Sequence, residues 1–142
     1  MPESVRSIGG AALDFEDVLK WVHLLGAAVW TGGLITLAAL VVALRNAGAD
    51  RPMLQAAARQ FGRLSWTALV IAVGTGIWQM EVIGYSYADV AVKLGLVVTA
   101  GVLALIHQLT ARNTSAAVRG AIQAVILVVS ILIFGAAVAT FG

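Results

Sequence analysis

Eight side chains sit in otherwise apolar stretches of this chain and are the ones able to do chemistry: Lys20, His23, Gln79, Glu81, Lys93, His107, Gln108 and Gln123. A polar or ionisable group at such a position is expensive in lipid, so each is a functional-site candidate. His23 has two readings. It is either a histidine hydrogen-bonded to a neighbouring helix or a neutral imidazole ligand, able to hold haem iron from one side. Met80 is either packing or a soft thioether ligand, as a second axial ligand to haem iron or beside the imidazole on Cu(I). Lys93 either snorkels to an interface or supplies a counter-charge for Glu81 or for a ligand carboxylate such as a haem propionate. His107, followed by Gln108 and Arg112, reads as an interfacial histidine or as the ligand of a second site.

The elements that position these groups follow from hydropathy. The chain has 142 residues, is 61% hydrophobic and only 11% charged, and has a mean hydropathy of +0.96. Soluble domains run near 45–50% apolar and about 25% charged, and a short chain cannot hide such an excess in one core. Four stretches reach the roughly 20 apolar residues a spanning helix needs. They are 18–44, 64–83, 90–111 and 118–141. Helices are expected because a helix satisfies its own backbone in lipid. The predicted fold is therefore an all-α membrane protein, a single antiparallel bundle of four transmembrane helices covering 1–142.

Residues 1–17 are polar and mildly acidic and predict a short amphipathic or disordered leader, with no basic-then-apolar signal pattern. The linker 46–52 (NAGADRP) holds turn residues, and 53–63 (MLQAAARQFGR) predicts a short amphipathic helix or an extension of the second span. The segments 84–89 (GYSYAD) and 112–115 (RNTS) are the other two loops. Loops this short predict that consecutive helices are antiparallel neighbours. Arg45, Arg51, Arg59, Arg63, Arg112 and Arg119 fall on one side, six of the nine basic residues, while six of the seven acids fall on the other. The positive-inside rule then puts both termini on the non-cytoplasmic side of the cell membrane.

Depth sorts the candidates. His23 lies about five residues into the first span, roughly 8 Å deep at 1.5 Å per residue. Lys93 starts at a similar depth, and Trp78, Gln79, Met80 and Glu81 end the second span at that level, so these groups can converge on one outer-leaflet pocket. Trp30 is deep enough to line it, whereas Trp21, Trp66 and Trp78 suit aromatic belts. His107 sits roughly 21 Å further in than Lys93, so the two histidines do not take the two faces of one metal centre within a subunit. Gly26, Ala27 and Gly33 share the His23 face, and small residues there admit another helix, a flat ring or a second copy of the chain. Gly74, Gly76, Gly95 and Gly101 read as helix-packing positions.

The absence of cysteine removes disulfides, thiolate metal sites and cysteine nucleophiles. The basic residues form no stripe, which excludes a nucleic-acid footprint. Carboxylate pairs, a Ser-His-Asp arrangement and a phosphate loop are all missing, which argues against hydrolytic chemistry. If the chain is an enzyme, a haem-dependent membrane oxidoreductase is the class that fits.

The run Trp21-Val22-His23-Leu24-Leu25-Gly26-Ala27-Ala28-Val29-Trp30-Thr31-Gly32-Gly33-Leu34 resembles the opening helix of the copper-resistance D (CopD-like) membrane domain. Phe61-Gly62-Arg63-Leu64 with Gly74-Thr75-Gly76 is similar to that domain's next helix, and Val92-Lys93-Leu94-Gly95-Leu96-Val97 to the segment after it. The likeness covers about 21–112. Distantly, the chain also resembles the HemJ-type protoporphyrinogen oxidase family, which shares a first-helix histidine and a third-helix lysine. That family implies haem b held by His23. Its Pro-Arg-Leu continuation after the first helix is missing here, which argues against carrying over the enzyme activity, and His107 falls where CopD-like domains more often place asparagine. The resulting expectation is a cytochrome-b-like redox or electron-transfer protein with haem b on His23, Trp30 lining the site, Lys93 near the propionates and His107 as a second site. The alternatives are copper binding or transport through His23, Met80 and His107, or a structural subunit of a larger membrane complex.

Overall fold

The computed structural model describes residues 14–141, which form four α-helices. Helix α1 (Phe15–Asn46) starts where the Asp14 carboxylate accepts from the Asp17 N–H at 2.8 Å, with Glu16 and Asp17 against the positive helix end. The last residues of the expected leader are thus the N-cap and first turn of α1; the rest of the leader lies outside the described residues. Gly48, at φ 80°, turns the chain, and Asp50 caps α2 (Arg51–Ile83) with Pro52 in its first turn. The segment 53–63 is continuous with the second span, not a separate helix. Gly84 ends α2 in the left-handed conformation at φ 82°. A reciprocal capping box between Ser86 and Asp89 opens α3 (Tyr87–Thr110). Helix α4 is Ala116–Phe141.

All four helices are long and apolar enough to cross a membrane. At 1.5 Å per residue α1 and α2 are about 50 Å long and α3 and α4 under about 40 Å. Against a hydrocarbon layer of about 30 Å, the α1–α2 hairpin has length to spare. Most span hydroxyls bond back to their own helix, as Thr36 does to the Gly32 carbonyl and Thr99 to that of Gly95. Ser65 Oγ, by contrast, is buried and makes no hydrogen bond among the described residues.

The helices are not all neighbours in chain order. α1 packs along α2 and α3 along α4, and the two hairpins touch through a short stretch of α1 and α4. The α2 and α3 backbones do not pack on each other, although only residues 84–86 join them, which corrects the expectation that each consecutive pair is adjacent. The reason lies in side-chain size. A Cβ on Gly26 would stand 3.0 Å from the Ala68 carbonyl and 3.2 Å from Ala72, so the missing side chain is what lets α1 reach the α2 backbone. Gly33 likewise makes room for the Phe61 ring. Gly74 and Gly95, expected as packing positions, meet nothing within 4 Å. The core is Trp30, Leu34, Ala68 and Ile126, bordered by Phe61, Leu103, Ala104 and Ile122. It joins the hairpins at mid-length and toward the arginine loops. Toward the termini the bundle opens.

Candidate functional site

The opening is a cavity of about 610 Å³ to which all four helices contribute, within the range of about 300–1,000 Å³ common for small-molecule sites. Its floor is Trp30, whose indole N–H donates to Ser130 Oγ at 2.9 Å, while the Ser130 hydroxyl donates to the Ile126 carbonyl at 2.8 Å. Trp66 stands edge-on to Trp30 with centroids 6.4 Å apart, and its own N–H is taken by Gln108. Both indole donors, that of buried Trp30 and that of half-buried Trp66, are therefore satisfied. The apolar walls include Ala27 and Val73 on one hairpin and Val97 and Ile133 on the other. Toward the termini the lining turns polar, with Lys20, Gln79, Tyr85 and Lys93.

His23 is the best-defined polar group in the cavity. Its Nδ1 lies 2.7 Å from the Ala72 carbonyl oxygen and 3.3 Å from Thr75 Oγ1. A carbonyl only accepts, so Nδ1 carries the proton and donates it. Nε2 then bears the lone pair, both hydrogen-bond contacts of the ring being made at Nδ1, and the ring borders the cavity. Fixing one ring nitrogen on a backbone carbonyl while the other stays free is how proteins orient a ligating histidine. Gly76 makes the pose possible, because a Cβ there would stand 3.0 Å from the His23 Cε1.

Four of the sequence-derived site residues, His23, Trp30, Met80 and Lys93, line this one cavity. Gln79 joins them and reaches the Leu19 carbonyl at 3.4 Å. Glu81 is exposed and takes no part in the lining, and Trp78 instead stacks edge-on with Phe15 at 5.3 Å. His107 lies apart from the cavity; its Nδ1 is buried and makes no hydrogen bond among the described residues. Those residues hold no group of three His, Cys, Asp or Glu side chains placed to share a metal ion. Sequence reasoning missed the Ala72 carbonyl and Ser130. The first is a backbone atom with no residue signature. The second is one of several span hydroxyls, and only its partner singles it out. Gly76 was visible in the Gly74-Thr75-Gly76 run, but as a packing residue rather than a seat for the imidazole.

Comparison with protein-family models, curated proteins and solved structures found no match.

Proposed function

We infer that this chain is a multi-pass membrane protein of CopD-like type that binds haem b between its two hairpins for one-electron redox work. The observation that carries the reading is the His23 imidazole, held by the Ala72 carbonyl at 2.7 Å through Nδ1 and free at Nε2 on a cavity of about 610 Å³. The donor set fits the group. A macrocycle with an apolar body and two carboxylates asks for one neutral nitrogen, apolar walls and cations at one end. His23, the Ala27–Val73 and Val97–Ile133 walls, and Lys20 with Lys93 meet those needs in that order. When bound, haem b supplies a one-electron carrier. The chain's own residues do the rest: Ala72 fixes the imidazole tautomer, Trp30 and Ser130 close the floor, and Lys20 and Lys93 receive carboxylates.

The arginine loops argue for termini on the non-cytoplasmic side of the cell membrane, which sets the cavity in the outer leaflet. With one histidine on the cavity, a bis-histidine centre would draw its second imidazole from another subunit of a homodimer or larger complex. Copper is the second reading, favoured by one observation, that Met80 and His23 line the same cavity. A thioether and an imidazole suit Cu(I).

An absorption spectrum of the detergent-purified protein, oxidised and dithionite-reduced, with metal analysis of the same sample, tests both. The expected result is a b-type spectrum with stoichiometric iron that His23→Ala abolishes. A colourless protein that carries copper, lost on His23→Ala, would replace haem with the second reading. Pigment and metal indifferent to His23→Ala would refute both.

A further inference from the structure

Trp66 and Gln108 join two helices whose backbones do not pack on each other: the indole N–H on α2 is taken by the amide on α3. Nearer the cavity, a Cβ on Gly101 of α3 would stand 3.9 Å from Leu69 Cδ2 of α2. Between the hairpins there is thus a groove floored by side chains alone. Its edges follow from helix spacing, because positions three, four and seven apart share a face. On α2 the Trp66 face carries Val70 toward the cavity, and Arg63 and Arg59 toward the arginine loops. On α3 the Gln108 face carries Leu105 toward the cavity, and Arg112 stands four residues past Gln108 in the turn that follows. Val70 is 67% exposed and Leu105 47%, so this part of the groove is apolar and open to acyl chains. Arg59, Arg63 and Arg112 are exposed as well, and among the described residues none of their guanidiniums has an ion-pair or hydrogen-bond partner. The turn carrying Arg112 is pinned by Arg119, whose guanidinium donates to the Ala111 and Thr114 carbonyls on either side of it. The one described acid at this end, Asp50, caps α2 with its carboxylate. The residues outside the described range join the bundle at the far end, before Asp14 and after Phe141. Between them and these arginines lies a hydrocarbon layer of about 30 Å, which α3, at about 36 Å, is long enough to span.

We propose that the loop-side mouth of this groove binds the headgroup of an anionic phospholipid. Arg59 and Arg63 of α2 and Arg112 of α3 hold its phosphate, and an acyl chain lies along Val70 and Leu105. The guanidinium fork pairs bidentately with phosphate oxygens, and basic clefts between spanning helices at headgroup level are where such lipids are recognised. Charge complementarity selects the head: three cations facing no carboxylate attract a net negative headgroup and repel the quaternary ammonium of a zwitterionic one. The lipid then links the two hairpins at a level where their backbones do not meet. None of these residues lines the His23 cavity, so the site goes beyond the haem reading and does not depend on it.

Native mass spectrometry of the full chain, released from detergent and titrated with phosphatidylglycerol or with phosphatidylcholine of the same chains, tests it. The expected result is tighter binding of phosphatidylglycerol, weakened about fivefold by each of Arg59→Gln, Arg63→Gln and Arg112→Gln, with phosphatidylcholine unaffected. Arg51→Gln is the control: it removes the same charge at the same end of the bundle, but in the first turn of α2 and away from the groove, and should leave binding unchanged. Equal binding of the two lipids would overturn the charge selection. An Arg51→Gln effect as large as that of Arg63→Gln would replace the groove with diffuse surface charge. Indifference to Arg112→Gln would overturn the link between hairpins, and displacement of the lipid by excess inorganic phosphate would reassign the site to a free anion. Pigment lost in His23→Ala bears on haem alone, so the two readings fail separately.

Discussion

Replacing Gly76 by alanine is the most direct way to test whether the His23 pose matters. A Cβ at Gly76 would stand 3.0 Å from the imidazole Cε1 and 3.3 Å from Nδ1, and ordinary contact begins near 3.4 Å. The ring must retreat from α2 by about 0.4 Å, which stretches the Nδ1 bond to the Ala72 carbonyl from 2.7 Å to about 3.1 Å, still a hydrogen bond but at the long end of the range. Loosening the group that orients a ligating histidine costs about 10- to 100-fold in metal affinity. A weakened rather than broken bond belongs at the lower end, about tenfold, or about 1.4 kcal/mol. The assay is transfer of haem from the purified protein to excess apomyoglobin, followed in the Soret region. Gly74→Ala is the control: it lies two residues away on the same helix, gains the same helix propensity, and meets nothing within 4 Å. The expected outcome is haem loss about ten times faster from Gly76→Ala, with Gly74→Ala matching wild type. If the two variants behave alike, the seat on α2 does not govern the ligand and the reasoning from His23 collapses.

Other consequences concern the fold itself. Ser130→Ala leaves the buried Trp30 N–H without an acceptor, whereas Trp30→Phe leaves the Ser130 hydroxyl on the Ile126 carbonyl. The first should cost about 1–2 kcal/mol in an SDS-unfolding titration, and most of that loss should vanish when both changes are combined; simple addition of the two would contradict the assignment. Gly26→Ala drives a methyl toward the Ala68 backbone carbonyl, while Gly32→Ala meets open space. The former should destabilise by about 1–3 kcal/mol in the same titration and the latter should be neutral. Gln108→Ala removes the acceptor of the Trp66 indole that bridges α2 and α3, at about 0.6 kcal/mol if membrane hydrogen bonds average as usual. Asp50→Ala deletes the α2 N-cap, and amide exchange in the first turn of α2 should speed up by the equivalent of about 1 kcal/mol.

What the sequence determined by itself is whatever depends on local, one-dimensional physics. Hydropathy summed along about 20 residues marks four helices, because lipid tolerates no backbone that is not internally bonded. Asp50, Gly84 and Ser86 fall in segments the sequence marks as turns, because capping is an exchange between residues within three or four positions, whereas Asp14, read as part of the leader, proves to be the N-cap of α1. The constant rise of a helix brings His23, Met80 and Lys93 to one depth, and the structure has them on one cavity. Other features were decided only by which helix faces meet. The separation of α2 from α3, against the short linker between them, depends on Gly26 and Gly33 drawing α1 onto α2 instead. The tautomer of His23 depends on the Ala72 carbonyl, an atom that every residue carries and that no pattern distinguishes. Ser130 became the floor of the cavity because Trp30 arrives from a helix 100 residues away to use its oxygen. Side-chain types are written in the chain, but the partner of a buried polar atom is a property of packing.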